Sequence, residues 1–227
     1  MAITTGIVAV QSGRTALEAY QVQPDGPGPF PAVVIIHEVW GLNDNIRDIA
    51  RRFAADGYVA LAVDLFAGRN RLVCMFRFMG GMFANSLDHQ GIHDLKAALT
   101  YLTQQPGVDA GRVGAIGVCM GGGFAIAWAA SDDRLKVIAP FYGANPRPIE
   151  AMARSCPIVG SYPEADWTAA QGQRLGEALD QYDVEHDFKI YPDAKHSFFN
   201  DTGRNFNAAA SADAWQRTLA FFKEKLR

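Results

Sequence analysis

The sequence predicts an α/β fold: a mostly parallel central sheet with helices on both faces and an antiparallel N-terminal edge. Three observations predict it. Short unbroken apolar runs, such as residues 32–36 and 58–63, read as strands buried on both faces. Longer stretches between them carry apolar residues at helical spacing. The two kinds alternate along the chain, as in a parallel sheet wrapped by crossover helices.

The elements follow in order. Residues 3–22 alternate loosely about a Ser12-Gly13 turn and read as an antiparallel hairpin at a sheet edge. Residues 24–31 hold four prolines and two glycines, a loop, and the 32–36 strand follows. Asn43 or Asp44 can cap a helix whose apolar stripe is Ile46, Ile49, Ala50, Phe53 and Ala54. Gly57 ends it, and residues 58–63 form the next strand. Residues 66–87 fit least well and predict a loop and a short helix, above the carboxyl ends of the strands where such folds bind ligands. A helix bearing Ile92, Leu95, Leu99 and Leu102 comes next, then strands over 112–118, 135–141 and 157–161. Leu175 and Leu179 mark a helix, residues 184–191 a last strand, and Trp215, Leu219 and Phe222 a closing helix.

Composition narrows the function. The 227 residues are 49% hydrophobic and 20% charged, enough to bury one core, so a single domain over residues 1–227 is expected. A net charge of -3 argues against a nucleic-acid partner, which selects basic faces. No run approaches the roughly 18 apolar residues of a membrane span. The opening Met-Ala-Ile-Thr-Thr-Gly lacks the basic-then-apolar pattern of a secretion signal. Three cysteines, Cys74, Cys119 and Cys156, cannot all pair within the chain; free thiols in a reducing, cytoplasmic compartment are expected. Oligomeric state is not legible.

The most informative stretch is Gly117-Val118-Cys119-Met120-Gly121-Gly122-Gly123, which follows a strand and opens a helix. A nucleophile elbow has the form Gly-x-nucleophile-x-Gly in that setting. The nucleophile sits on a strained turn, and small neighbours let backbones pass closely. The helix start aims N–H groups at the thiol, which favours thiolate and a developing oxyanion. A dinucleotide loop fails on glycine spacing, because Cys119 stands two after Gly117 and Ile126 five after Gly121. A buried structural cysteine among packing glycines is the plainer alternative.

A nucleophile needs a base, and the base an orienter. His196 lies in the loop after the last strand. Asp166 lies in the loop after the strand before it, with Glu164 as a rival orienter. The order nucleophile, acid, histidine is that of α/β-hydrolases.

With these residues in place, the sequence resembles the dienelactone hydrolase family of α/β-hydrolases. The likeness rests on His37-Glu38-Val39-Trp40-Gly41-Leu42-Asn43, Gly57-Tyr58, Val63-Asp64-Leu65-Phe66, the Cys119 elbow, Asp166 and His196-Ser197-Phe198, and spans about residues 3–225. It implies hydrolysis of a small ester or lactone with Cys119 as nucleophile, His196 as base, Asp166 as orienter and no cofactor. It implies an oxyanion hole from the Val39 and Met120 N–H groups, and a Glu38 that hydrogen-bonds the resting thiol. Trp40 is a candidate substrate contact. The sequence departs from the family at the arginines that grip a substrate carboxylate. Asn200 stands four residues after the histidine where one of them belongs, and Arg77 is the nearest match to the other. The Met- and Phe-rich 72–83 stretch reads either as apolar substrate contact or as core packing.

His89 and His93 are spaced as a metal pair, but Gln90 occupies the place of the glutamate in a His-Glu-x-x-His site, so no metal is expected. His37 reads as a hydrogen-bonded core histidine. Two functions of other classes compete: a non-catalytic hydrolase-fold binding module, and a redox thiol protein, which lacks a Cys-x-x-Cys partner.

Overall fold

A computed structural model describes residues 2–67 and 71–227, excepting the side chains of Arg71, Leu72, Arg77, Met79, Met82, Phe83 and Ala84. One sheet of eight strands runs through them: β1 (Ile3–Ser12), β2 (Thr15–Pro24), β3 (Phe30–Ile36), β4 (Val59–Val63), β5 (Val108–Val118), β6 (Val137–Phe141), β7 (Ile158–Pro163) and β8 (His186–Tyr191). Their spatial order is β1-β2-β4-β3-β5-β6-β7-β8. The first hairpin pairs antiparallel, Ser12 opposite Thr15, and β2 pairs antiparallel with β4. All later pairings are parallel.

Among the described residues six α-helices cover the sheet: α1 (Asp44–Ala55), α2 (Arg71–Ala84), α3 (Gln90–Thr103), α4 (Met120–Ala129), α5 (Thr168–Gln181) and α6 (Ala208–Lys225). Alternation along β3 shows how both faces are filled. Val34 and Ile36 join the core under α3, α4 and α5, while Val33 and Ile35 join the core under α1 and α6. Truncating Ile35 to alanine should cost about 2–5 kcal/mol, because both the apolar contacts and the filled volume are lost.

The ends are set locally. Asn43 caps α1 by accepting from Ile46 N at 3.1 Å, and Gly57, at φ 92°, ends it where a side chain would be strained. The predicted short helix in 66–87 is instead the 14-residue α2, so Gly80 and Gly81 lie within a helix. The gain comes from burying Cys74 and Phe78 against the α3–α4 layer, with Phe78 edge-on to Phe124. A 3-10 turn over Ile149–Arg154, unmarked by periodicity, precedes β7. No helix of the described residues is long and apolar enough to cross a membrane.

Candidate active site

Parallel strands deliver their carboxyl ends to one edge, and the candidate residues gather there. Cys119 follows β5 at φ 56°, ψ -115°, a conformation an L-residue holds only when its surroundings impose it. The glycines around it are steric necessities. A Cβ on Gly117 would lie 2.0 Å from the Gly121 carbonyl oxygen, and one on Gly121 would lie 2.3 Å from that of Ile36. The elbow is pinned to the next strand by Cys119 N donating to Phe141 O at 3.0 Å.

His196 reaches the thiol from the loop after β8, its Nε2 3.1 Å from Cys119 Sγ. Its Nδ1 is hydrogen-bonded to Asp166 Oδ2, which also accepts from Thr168 Oγ1 at 3.0 Å. With Nδ1 donating to the carboxylate, Nε2 is left as acceptor for the thiol proton. Asp166 is almost wholly buried and His196 about one-third exposed, so the imidazole can meet solvent while the carboxylate cannot. Glu164 holds no hydrogen bond to His196; its backbone N–H, just past the end of β7, donates to Tyr191 O at the end of β8.

Glu38 leaves β3 and is 1% exposed. Asn200 Nδ2 donates to its Oε1 at 2.7 Å, and Ser197 Oγ to its Oε2 at 3.4 Å. The described hydrogen bonds to the Glu38 carboxylate thus come from the histidine loop, and the thiol's partner is His196. Asn200 is itself buried, and its Oδ1 accepts from the Thr202 backbone N–H and hydroxyl at 3.0 and 2.8 Å. Both ends of its amide are occupied. Val39 and Trp40 follow Glu38 in a turn closed by Gly41 N donating to Glu38 O, with Trp40 63% exposed. Arg77 lies on α2, and its side chain is outside the described residues.

The electrostatics run against the expected thiolate. Burial pushes the Cys119 thiol up to about 11, and charge on Glu38 and Asp166 adds to this. The Met120 N–H pulls the other way, as a helix start should, but desolvation outweighs it. At neutral pH the Cys119 sulfur is therefore held as a thiol, with His196 Nε2 beside it. Glu38 is raised above the usual carboxylate range, chiefly by burial, with the Asn200 and Ser197 hydrogen bonds opposing.

Tyr142 is a site residue the sequence reading missed. It follows β6 at φ 41°, is buried, and its ring centroid lies 4.9 Å from that of His196. Burial, then charge on Glu38 and Cys119, pushes its phenol well above the usual value, while a hydrogen bond from the Phe199 N–H opposes the rise. The one available signal was positional: Tyr142 stands at the carboxyl end of the strand beside the elbow. His37 is a core histidine, accepting from Leu65 N at 3.0 Å through Nε2 and bonding Glu38 O through Nδ1.

The other weighed residues lie elsewhere. His89 caps α3 by accepting from Gly91 N, and His93 pairs with Asp88 at 3.0 Å. Among the described residues no group of three or more His, Cys, Asp or Glu side chains could hold a metal. Cys74 faces the Phe66 carbonyl within the core, and burial pushes the Cys156 thiol up to about 12. Neither shares the site of Cys119.

A mostly parallel eight-stranded sheet with a cysteine elbow after β5, and a histidine and an acid in the loops after β8 and β7, defines the α/β-hydrolase class. Within that class the chain belongs to the dienelactone hydrolase family, lactone and ester hydrolases, whose sequence profile matches residues 17–226. It is 33% identical to a carboxymethylenebutenolidase-like protein of Saccharolobus solfataricus, over 93% of this chain and 95% of that protein. It is 30% identical to one of Escherichia coli, over 98% and 88%. Among solved structures it is similar to a dienelactone hydrolase-like promiscuous phosphotriesterase from metagenomic libraries, with TM-score 0.88, 25% identity and full coverage of both chains. It is also similar to a dienelactone hydrolase-like protein of Klebsiella pneumoniae, with TM-score 0.86 and 27% identity over 99% of this chain and all of that one.

Proposed function

We propose that the protein hydrolyses small, uncharged carboxylic esters or lactones through a cysteinyl thioester. The observation that carries this reading is the continuous array from Cys119 Sγ through His196 to Asp166. His196 Nε2 takes the thiol proton as sulfur attacks the carbonyl carbon. The N–H groups of Met120 and Val39 receive the developing oxyanion. When the tetrahedral intermediate collapses, the carbon–oxygen bond breaks and the imidazolium returns its proton to the leaving alkoxide. Water, deprotonated by the same nitrogen, then attacks the thioester, and the acid leaves as sulfur recovers the proton. Asp166 holds the tautomer and stabilises the imidazolium in both halves. No cofactor is required.

The uncharged substrate class rests on the acids around the sulfur. Glu38 and Asp166 both act on it electrostatically, and Asn200 brings a neutral amide already engaged with Glu38. A substrate carboxylate meets like charge there.

The deciding experiment is a panel of neutral esters and lactones assayed with the wild type and Cys119→Ala. Turnover in the wild type and none in the variant is the expected result, with accumulation of a thioester on Cys119 visible by mass spectrometry. Turnover that survives Cys119→Ala would remove the mechanism.

A further inference from the structure

Six large apolar side chains are strongly exposed among the described residues: Ile7, Trp40, Val73, Phe76, Trp167 and Phe206. Their distribution is lopsided. Ile7 lies on the edge strand β1, whereas the other five follow the carboxyl ends of β3, β4, β7 and β8, the sheet edge that carries Cys119. Two of them are sequence neighbours of candidate site residues. Trp40 is the residue after Val39, and Trp167 is the residue after Asp166. Each indole is 63% exposed. In spatial order, the strand before Trp40 and the strand before Trp167 stand on opposite sides of β5 and β6, which lead into Cys119 and Tyr142. The remaining tryptophans are used conventionally: Trp128 is fully buried, and Trp215 packs on Phe53 and Arg52.

An exposed indole is an unfavourable surface unless something covers it, and apolar surface concentrated at one rim marks a binding site. The occupant follows from continuity with the thiol. The strands that lead to Trp40 and Trp167 flank β5 and β6 at the sheet edge that carries Cys119, so both indoles border the rim over which a group attached to a carbonyl at the thiol extends. We infer that Trp40 and Trp167 are the walls of an apolar subsite that takes the aromatic group of an aryl ester, and so determine specificity. The inference rests on the thioester reading above and extends it to a substrate class. Flat rings suit an indole wall because offset or edge-on contact adds to the gain from burial.

The experiment compares kcat/KM for phenyl acetate and ethyl acetate, with methyl benzoate covering the acyl side, in the wild type, Trp40→Ala, Trp167→Ala and Ile7→Ala. Both tryptophans are exposed, so truncation should spare the fold. The expected result is a loss of about tenfold or more on an aryl ester in either tryptophan variant, carried mainly by KM, with a clearly smaller loss on ethyl acetate. Ile7→Ala should change neither substrate. A parallel titration with benzamide, read by tryptophan fluorescence, needs no turnover. It should saturate in the wild type and fail in the Trp40→Ala/Trp167→Ala protein. Equal losses on aryl and ethyl esters, or no saturable benzamide signal, would overturn the subsite. Wild type inert to every ester but binding benzamide through these indoles would instead overturn the hydrolytic reading and leave the aryl site standing. Sedimentation with phosphatidylcholine vesicles that depends on the two tryptophans, without an aryl preference, would reassign the rim to a lipid surface.

Discussion

Asn200 donates from its side-chain amide to Glu38 at 2.7 Å, joining the histidine loop to the end of β3 through a contact buried at both ends. The Thr202 N–H and hydroxyl hold the other side of the amide, so its orientation is fixed. Removing the donor leaves a buried carboxylate short of a partner. Asn200→Ala should therefore lose about 1–3 kcal/mol of stability at neutral pH by urea unfolding. In a Glu38→Gln background the same truncation should cost clearly less, because no buried charge is then stranded. Equal costs in both backgrounds would show that Asn200 acts by packing alone.

Glu38 also sets a pH dependence whose sign can be worked out. Its folded value is raised above the ordinary 4.5. A carboxyl raised on folding favours the native state most when protonated, below its unfolded value, and that contribution is lost as pH rises through the folded value. Glu38→Gln should therefore unfold at higher temperature than wild type at pH 7–8, by about 2–4 °C for each kcal/mol relieved. The two should converge below about pH 4, near the unfolded carboxyl value. A wild type that gains stability over the variant as pH rises from 4 to 8 contradicts this.

The same charge acts on the Cys119 thiol. Burial and the two carboxylates hold the Cys119 thiol up at about 11, so alkylation by iodoacetamide should be slow at pH 7 and climb through pH 9. Glu38→Gln removes one of the raising charges, so the thiol value should fall and the alkylation rate at pH 8 should rise. A slower rate in the variant would mean that Glu38 activates the thiol.

Within the array, Asp166→Asn should lower kcat by about 10⁴, as loss of the correct imidazole tautomer does in a triad. Glu164→Gln should stay within a few-fold of wild type. Because the members work as a unit, Cys119→Ala with His196→Ala should be scarcely worse than either alone.

The substrate's charge is open to a direct comparison. Ethyl acetate should be preferred over monoethyl malonate in kcat/KM by about tenfold or more, the scale of a single charge-assisted hydrogen bond. Added salt should narrow the gap, since like-charge repulsion is screened. A preference for the carboxylated ester that disappears in Arg77→Ala would restore an anionic substrate.

Where sequence was legible, the reason was local. The elbow shows because Gly117 and Gly121 must be small for their own neighbours, and the half of the strand that feeds it is buried. The eight strands of the described residues were visible too, the edge pair from loose alternation about a turn and the central ones from apolar runs, with boundaries shifting by a few residues: β5 begins at Val108, not at residue 112. What was not legible depends on distant partners. Asn200 meets Glu38 across 162 positions, and nothing near either residue announces the other. Tyr142 draws its place from the ends of β6 and β7, where its N–H donates to Ser161 O at 2.9 Å. In α2 the Met- and Phe-rich composition and paired glycines hid a helix stabilised by the layer beneath it.

The 77 residues between thiol and imidazole have a consequence for biosynthesis. A ribosome releases Cys119 well before His196 exists, so the nascent chain carries an ordinary cysteine with no base beside it. Under the proposed thioester mechanism, acyl transfer waits until β6, β7 and β8 have joined the sheet, since that carries the imidazole to the sulfur. Non-local strand additions of this kind are the slow events of folding. The chemistry is thus withheld from every truncated or half-folded copy, and regain of hydrolysis after dilution from denaturant times the closure of the far edge of the sheet.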